Sequence, residues 1–192
     1  MKNLLLTLAL SLGCLSYSSA QVKTVPQHSA DVGIAPIQQG NWMVGGSIGS
    51  LGYSFEAESF NIQVSPRAGY FVSDGVAVGA QANLGFTSVN NGKNEWGYGI
   101  APFVRYYFPG GASATGRFFG QGDVGIAGSS AGDDVSLNVG LNAGYAHFIT
   151  QTVALEAMLG YNYSKANISS SSDKASGLGI SVGFQIYLPG SN

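Results

Sequence analysis

The stretch FNIQVSPRAGYFV, residues 60–72, alternates apolar side chains with small or polar ones. One set is apolar and uncharged: Phe60, Ile62, Val64, Pro66, Ala68, Tyr70 and Val72. The interleaved set includes Asn61, Gln63, Ser65, Arg67 and Gly69. Successive side chains of a β-strand point to opposite faces, so this strand is predicted to present one face to hydrocarbon and the other to a polar interior.

Seven other segments after residue 40 repeat the alternation. Their predicted outward-facing residues are Trp42, Val44, Gly46, Ile48; Val76, Val78, Ala80, Ala82, Leu84, Phe86; Trp96, Tyr98, Ile100, Pro102, Val104, Tyr106, Phe108; Phe118, Gly120, Gly122, Val124, Ile126; Val135, Leu137, Val139, Leu141, Ala143, Tyr145; Val153, Leu155, Ala157, Leu159, Tyr161, Tyr163; and Leu178, Ile180, Val182, Phe184, Ile186, Leu188. The chain is 9% charged, yet none of these positions is. A lysine or arginine facing lipid at the bilayer midplane costs about 2 to 4 kcal/mol, which explains the absence of charge. The sequence therefore predicts an all-β fold, an antiparallel eight-stranded transmembrane up-and-down β-barrel.

The first 20 residues have the composition of an export signal. Lys2 supplies positive charge, residues 4–15 form a short apolar core, and residues 18–20 are small, as at a cleavage site. Cys14 lies inside this signal, so the mature protein is expected to contain no cysteine. A lipoprotein signal cleaved before Cys14 is the alternative, but the three residues before it depart from the usual order. No other segment holds the roughly 20 apolar residues of a membrane helix.

The rest of the chain divides into three parts. Residues 21–40 lack periodicity and are predicted to form a periplasmic lead-in, residues 41–188 the barrel and residues 189–192 a short tail. Periplasmic turns are predicted at Ser73–Gly75, Pro109–Gly116 and His147–Thr152. Outer loops are predicted at Gly49–Ser59, Ser88–Glu95, Gly128–Asp134 and Ser164–Ser176. These loops are short, which disfavours a large folded receptor or lid.

Aromatic residues are predicted to ring the barrel at both membrane interfaces. The lower girdle would be built by Trp42, Tyr70, Tyr106, Phe118 and Tyr145, and the upper one by Phe60, Phe86, Trp96, Tyr98 and Tyr163. An aromatic core in a soluble β-sandwich is the alternative. Pro66 and Pro102 fall inside predicted strands, where proline cannot donate to the ladder, so a bulge or bend is expected at each.

Four charged residues fall on interior positions away from the strand ends, namely Arg67, Arg105, Asp123 and Glu156. Their charges sum to zero, so a hydrogen-bonded ion-pair cluster that fills the lower lumen is the favoured interpretation. A selectivity or gating site and catalysis by the paired carboxylates are the alternatives. The high glycine content suits a narrow lumen, where bulky inward side chains would collide.

Enzymatic, metal and cofactor sites are not indicated by the residue pattern. The two histidines, His28 in the lead-in and His147 at a predicted periplasmic turn, are not placed for catalysis at the outer rim. No catalytic residue, metal cluster, phosphate loop or nucleotide fingerprint is predicted, and Gly-x-Gly pairs such as Gly97–Gly99 reflect strand alternation. The net charge of −2 gives no indication of nucleic-acid binding.

With this pattern the chain resembles the small eight-stranded outer-membrane barrels, the group that contains the OmpA membrane domain, OmpX and OmpW. Its last strand resembles the signal read by the barrel assembly machinery, carried here by Ser181, Gly183, Ile186 and Leu188. Such barrels usually end on phenylalanine, whereas this chain continues through residues 189–192. The resemblance implies a Gram-negative outer membrane, with lipid, lipopolysaccharide and the assembly machinery as partners.

The leading functional expectation is a non-enzymatic barrel that supports envelope integrity and passes small solutes weakly at most. A second is an OmpW-like carrier of small apolar molecules, which an apolar pocket in the upper lumen would favour. A third is surface adhesion through the serine-rich tract 169–172, with an unidentified partner. Acidic outer-loop residues, Glu56, Glu58, Asp133 and Asp134, could hold divalent cations that bridge lipopolysaccharide.

Cysteine labelling of intact cells tests the predicted topology. A thiol reagent that cannot cross the outer membrane should modify Ser171→Cys, in a predicted outer loop, but not Asp74→Cys, in a periplasmic turn. The mature chain provides a cysteine-free background for both variants. Labelling of Asp74→Cys alone would show that the barrel has the opposite orientation.

Overall fold

Eight antiparallel strands close into a barrel in the computed structural model, which describes residues 35–54, 59–89, 94–109, 115–130, 132–165 and 174–190. The strands are β1 (Trp42–Ser54), β2 (Ser59–Ser73), β3 (Val76–Val89), β4 (Glu95–Tyr107), β5 (Gly116–Ser129), β6 (Gly132–Phe148), β7 (Val153–Lys165) and β8 (Lys174–Leu188). Each strand pairs with its neighbours in the chain, and β8 pairs back onto β1. The predicted fold class is confirmed. Within the described residues, no helix is long and apolar enough to cross a membrane.

The two faces of each strand differ as the alternation predicts. On β4, Tyr98 and Val104 are 58% and 54% exposed, whereas Phe103 and Arg105 are 3% and 0% exposed. The large apolar side chains of the predicted outward set cover the outer surface, and their neighbours point into the lumen. Both described ends of the chain lie at the end where tight turns join the strands, which in outer-membrane barrels faces the periplasm.

Several strands extend further than predicted. β1 continues to Ser54, so the first outer loop is shorter than Gly49–Ser59, and β5 and β6 leave only residues 130–131 between them instead of Gly128–Asp134. At the periplasmic end β6 continues through His147 to Phe148, so the turn predicted at His147–Thr152 begins two residues later. The apolar pattern ends where the bilayer ends, but backbone pairing needs no apolar side chains and continues beyond it.

The strand pairing has no bulge at either proline. The β2–β3 pairing keeps one register from Val64↔Leu84 to Arg67↔Gln81, and Pro66 still faces Gly46 on β1. Likewise Pro102 faces Ala80 on β3, and the register to β5 is the same before and after it. Each proline loses its pairing to only one of the two neighbouring strands, because the missing N–H would donate to only one of them. The register shifts occur elsewhere, at Gly49/Gly52, Phe71/Ser73 and Ala127/Ser129.

The end of the lead-in lies across the periplasmic end of the barrel. A single 3-10 turn, Ala35–Ile37, is held by Asn41, whose Nδ2 donates to the carbonyls of Ala35 and Pro36 at 2.8 and 3.2 Å. The Ile37 carbonyl accepts from the Gly75 amide at 2.8 Å. Residues 21–34 and the signal predicted at residues 1–20 lie outside the described residues, as does His28.

Val139→Arg and Asn138→Arg test the assignment of faces with one incoming residue at adjacent positions of β6. Val139 faces lipid near the middle of the strand, so its replacement should reduce the free energy of unfolding in lipid vesicles by about 2 to 4 kcal/mol. Asn138 faces the lumen, so its replacement should cost far less. Equal losses for the two variants in refolding titrations would show that the register is wrong.

Candidate functional site

The periplasmic third of the lumen is filled by an aromatic and apolar layer, called here the lower aromatic layer. Its buried members are Met43, Phe71, Ala77, Phe103, Tyr107, Phe119, Ala146, Phe148, Ala154, Met158 and Tyr187. The rings of Tyr107 and Phe119 lie 5.5 Å apart between centroids, and those of Phe148 and Tyr187 lie 5.3 Å apart. The layer closes the lumen above the 3-10 turn, and Ile37 packs against it.

Sequence reasoning missed this layer. At the periplasmic strand ends, aromatic residues occupy both alternating positions, as in Tyr70-Phe71 and Phe118-Phe119. That loss of polar alternation was the available signal. Two inward glycines make room for the rings: a Cβ at Gly79 would lie 2.7 Å from Phe103 Cζ, and one at Gly144 would collide with Phe119 Cζ.

Directly above the layer, Arg105 and Glu156 form a buried ion pair. Arg105 Nη1 donates to Glu156 Oε1 at 2.7 Å, and the side chains are 0% and 2% exposed. The guanidinium also donates through Nε and Nη2 to Gln121 Oε1, at 3.0 and 2.8 Å. Its Cζ lies 4.1 Å from the ring centroid of Phe119, within cation–π distance. Arg105 is therefore both the hub of the polar network and the contact between that network and the lower aromatic layer.

Arg67 contributes a second, weaker interaction with the same carboxylate. Its Nη1 lies 4.0 Å from Glu156 Oε2, and its Nη2 donates to Ser47 Oγ at 2.7 Å. Nη1 also lies 3.7 Å from Met158 Sδ. One carboxylate thus faces two guanidinium groups, with the shorter contact to Arg105.

Asp123 is inside the lumen as predicted, but the structure does not bring it into an ion pair with either arginine. Its Oδ1 accepts from Asn142 Nδ2 at 3.0 Å and from Gln121 Nε2 at 3.5 Å. The reason is its height: Gln121 is the residue of β5 that pairs with Arg105, and Asp123 lies one inward position above it. The predicted four-residue cluster is therefore an Arg67–Glu156–Arg105 group with Asp123 joined through amides.

Hydrogen bonds continue downward from this group. Arg105 Nη1 lies 3.1 Å from the Tyr107 hydroxyl, which lies 2.8 Å from the Tyr187 hydroxyl. A continuous polar chain therefore runs from Asp123 to the lower aromatic layer. Arg117, at the start of β5, is also buried and donates to the Gly116 carbonyl at 2.9 Å. Arg117 is not among the four predicted interior charges because it is at a strand end.

The outer half of the lumen contains a cavity of about 480 Å³, called here the upper cup. Carboxamides line it, including Gln63, Gln81, Asn83, Asn138 and Asn162, and glycines such as Gly97 and Gly125 leave it open. A narrower cavity of about 110 Å³ continues down to Arg67 and Asp123. The side chains that point into the cup are therefore mostly carboxamides, whereas apolar lining residues such as Ile100 and Val139 belong to the outward sets of their strands.

The remaining predicted site residues lie outside the lumen or along β8. Trp42 and Tyr70 face lipid with ring centroids 5.0 Å apart at the periplasmic end, and Phe86 and Trp96 lie 4.6 Å apart at the other. Other outward girdle residues are Tyr98, Tyr106, Tyr145 and Tyr163. On β8, Ser181 and Gly183 belong to the inward set, whereas Ile186 and Leu188 face outward.

His147 is on the outer surface of β6, where its ring lies 6.5 Å from that of Tyr145. It is a strand residue and does not point toward the lumen carboxylates. The serine tract 169–172 and the acidic residues Glu56 and Glu58 lie outside the described residues, as do the side chains of residues 133 and 134.

The barrel is similar to solved structures at low sequence identity. Neisserial surface protein A matches with a TM-score of 0.56 and 18% identity, over 77% of this chain and 97% of that one. The N-terminal β-barrel domain of Pseudomonas aeruginosa OprF matches at 0.52 and 11%, over 78% and 98%. OprG from Pseudomonas aeruginosa matches at 0.50 and 11%, over 79% and 97%. No family model and no curated protein sequence matches the chain.

Similarity at this level of identity defines the fold, which is that of the small outer-membrane β-barrels. The uncharged apolar outer surface agrees with it, because such a surface is stable only against hydrocarbon. The protein is thus an eight-stranded outer-membrane β-barrel whose lumen is closed below by side chains and polar above.

Glu156→Gln and Asp123→Asn each replace a lumen carboxylate by the corresponding amide. Glu156 is in an ion pair with Arg105, whereas Asp123 accepts hydrogen bonds from amide side chains. Glu156→Gln leaves two buried guanidinium groups without a counter-charge, so the free energy of unfolding should fall by about 3 to 5 kcal/mol. Asp123→Asn keeps an acceptor for Asn142 and should cost about 1 kcal/mol or less. Urea unfolding of both variants in the same lipid vesicles gives the comparison. Similar losses would show that Asp123 belongs energetically to the ion-pair group.

Proposed function

We propose that the protein is a non-enzymatic structural barrel of the outer membrane that supports envelope integrity and does not form an open pore. The observation that carries this proposal is the closure of the lumen by two successive levels, the Arg105–Glu156 ion pair and the lower aromatic layer. Eight strands enclose an interior just wide enough for side chains to fill, so these levels suffice to block it.

Burial supports closure. Phe71, Phe119 and Tyr187 point into the lumen and are 0 to 1% exposed. Side chains that line a water-filled channel would remain accessible to water, as Gln63 and Asn162 of the upper cup do. Small polar solutes can therefore enter the cup from outside, but they meet the polar chain and then packed rings.

The energetics of the lumen favour a rigid plug over a mobile gate. Opening a path past Arg105 would separate it from Glu156 and from two hydrogen bonds to Gln121. It would also withdraw the guanidinium from the face of Phe119. Because a buried charge that loses its partner costs several kcal/mol, the closed arrangement should dominate the population.

The non-enzymatic part of the proposal rests on the surroundings of the titratable groups. Glu156 is neutralised by arginines below the cup, and Asp123 is held by amide donors. His147 lies on the other side of the barrel wall. These positions do not place a base beside a nucleophile.

Partners follow from the location and the last strand. Lipid and lipopolysaccharide would contact the outer surface, and we propose that the assembly machinery reads Ser181, Gly183, Ile186 and Leu188 on β8. The outward Ile186 and Leu188 are accessible at the periplasmic end of the strand, where an assembling partner would meet them.

Single-channel conductance in planar bilayers tests the plug. The wild-type barrel should conduct very weakly, whereas Phe119→Ala with Tyr187→Ala should conduct more, because the two truncations remove packed rings from the lower aromatic layer. Glu156→Ala should also raise the current and favour anions, because it leaves an excess of buried positive charge.

Asn138→Ala is the matched control, since it shortens a lumen side chain in the upper cup without touching the plug. Its current should equal that of the wild type. Steady wild-type conductance of porin size, or unchanged current in the plug variants, would refute the closed barrel and favour solute transport.

A further inference from the structure

A groove of about 770 Å³ crosses the lipid-facing surface of the barrel. Its lower wall follows one row of paired residues across five strands: His147 faces Leu155, Leu155 faces Phe184, Phe184 faces Gly46, and Gly46 faces Pro66. All five line the groove.

The next row toward the outside forms the upper wall. Here Tyr145 faces Ala157, Ala157 faces Val182, Val182 faces Ile48, and Ile48 faces Val64. Eight of the ten residues in the two rows are apolar, and the other two are Tyr145 and His147. Gly46 in the lower row and Ala157 in the upper row have almost no side chain. Their neighbours Phe184 and Val182 project from the wall, and the difference in side-chain size produces the concavity.

The groove is inclined to the membrane plane. At one end of the lower row, His147 lies one residue before the end of β6 at Phe148, whereas Pro66, at the other end, lies seven residues before the end of β2 at Ser73. The row crosses four strand intervals of about 4.8 Å, so it is roughly 19 Å long. Because barrel strands tilt by about 35 to 45°, its two ends differ in height along the membrane normal by about 12 Å. This rise is close to one leaflet of a hydrocarbon core about 30 Å thick.

We infer that the groove is a binding site for a glycerophospholipid of the periplasmic leaflet, with one acyl chain along the groove and its phosphate at His147. The length matches an acyl chain that begins at the interface and ends near the midplane. The exposed imidazole is at headgroup depth beside Tyr145, and its N–H can donate to a phosphate oxygen. The acyl chain would lie on the outer face of the barrel wall, so the site goes beyond the plug proposed above.

The shape of the groove disfavours a second copy of the chain as occupant. In a two-fold dimer the same patch meets itself, so two concavities would face each other and leave a void. A flexible acyl chain fills such a depression without a complementary ridge.

Native mass spectrometry of the full barrel, extracted from cells in a mild detergent, tests the inference. The wild type should retain one glycerophospholipid. Ala157→Leu and Val182→Phe fill the groove at exposed positions and should lower lipid occupancy by about tenfold. His147→Ala leaves the groove open but removes the phosphate donor, so it should reduce retention of phospholipid while the barrel still binds detergent.

Two substitutions of the same kind on other parts of the lipid face serve as controls. Ala143→Leu on β6 and Val124→Phe on β5 do not line the groove and should retain lipid as the wild type does. Equal retention in all variants, no retained lipid in the wild type, retained lipopolysaccharide, or a dimer lost only in the groove-filling variants would each overturn the assignment. Circular dichroism of every variant confirms that the barrel is folded.

Discussion

A strand within hydrocarbon finds no water for its backbone N–H and C=O groups, and every other feature of this barrel follows from that constraint. Closure of β8 onto β1 removes both sheet edges. The constraint also explains how two prolines are tolerated. Pro66 keeps its pairing to β1 and Pro102 keeps its pairing to β3, so each strand remains joined on one side while the register on the other side resumes unchanged.

Closure with only eight strands makes a narrow lumen, and the narrow lumen controls its chemistry. An arginine there cannot stay hydrated, so Arg105 is surrounded by Glu156, Gln121 and the face of Phe119. Glycines at inward positions, such as Gly144, provide the space that the rings occupy. The lumen is therefore packed like a protein core at the periplasmic end and has open space where carboxamides replace the aromatics.

The sequence alone predicted the strands and their outward faces, because alternation is a local property of each strand. It also placed Arg67, Arg105, Asp123 and Glu156 in the lumen. It could not assign their partners, since Glu156 on β7 meets Arg105 on β4 across the lumen, and that meeting depends on the combined register of all strands between them. Asp123 lies one inward position above Gln121, the residue that pairs with Arg105, and is therefore outside the ion pair; this too depends on the strand register. The lower aromatic layer was missed because Phe71 and Phe119 stand singly at the ends of separate strands in the sequence and meet only in the closed barrel.

The pairing of β1 with β8, called here the seam, closes the barrel and has side-chain contacts on both faces of the wall. In the described residues it has eight paired positions, Trp42–Gly49 with Ser181–Leu188, against thirteen between β7 and β8. Side chains must compensate on both sides of such a short ladder. Inside, Met43 and Tyr187 join it to the lower aromatic layer. Outside, the lipid-facing groove crosses it at Gly46–Phe184 and Ile48–Val182. An acyl chain in the groove would add apolar contact over the pairing that closes the barrel, so lipid occupancy and closure of the last strand should stabilise each other.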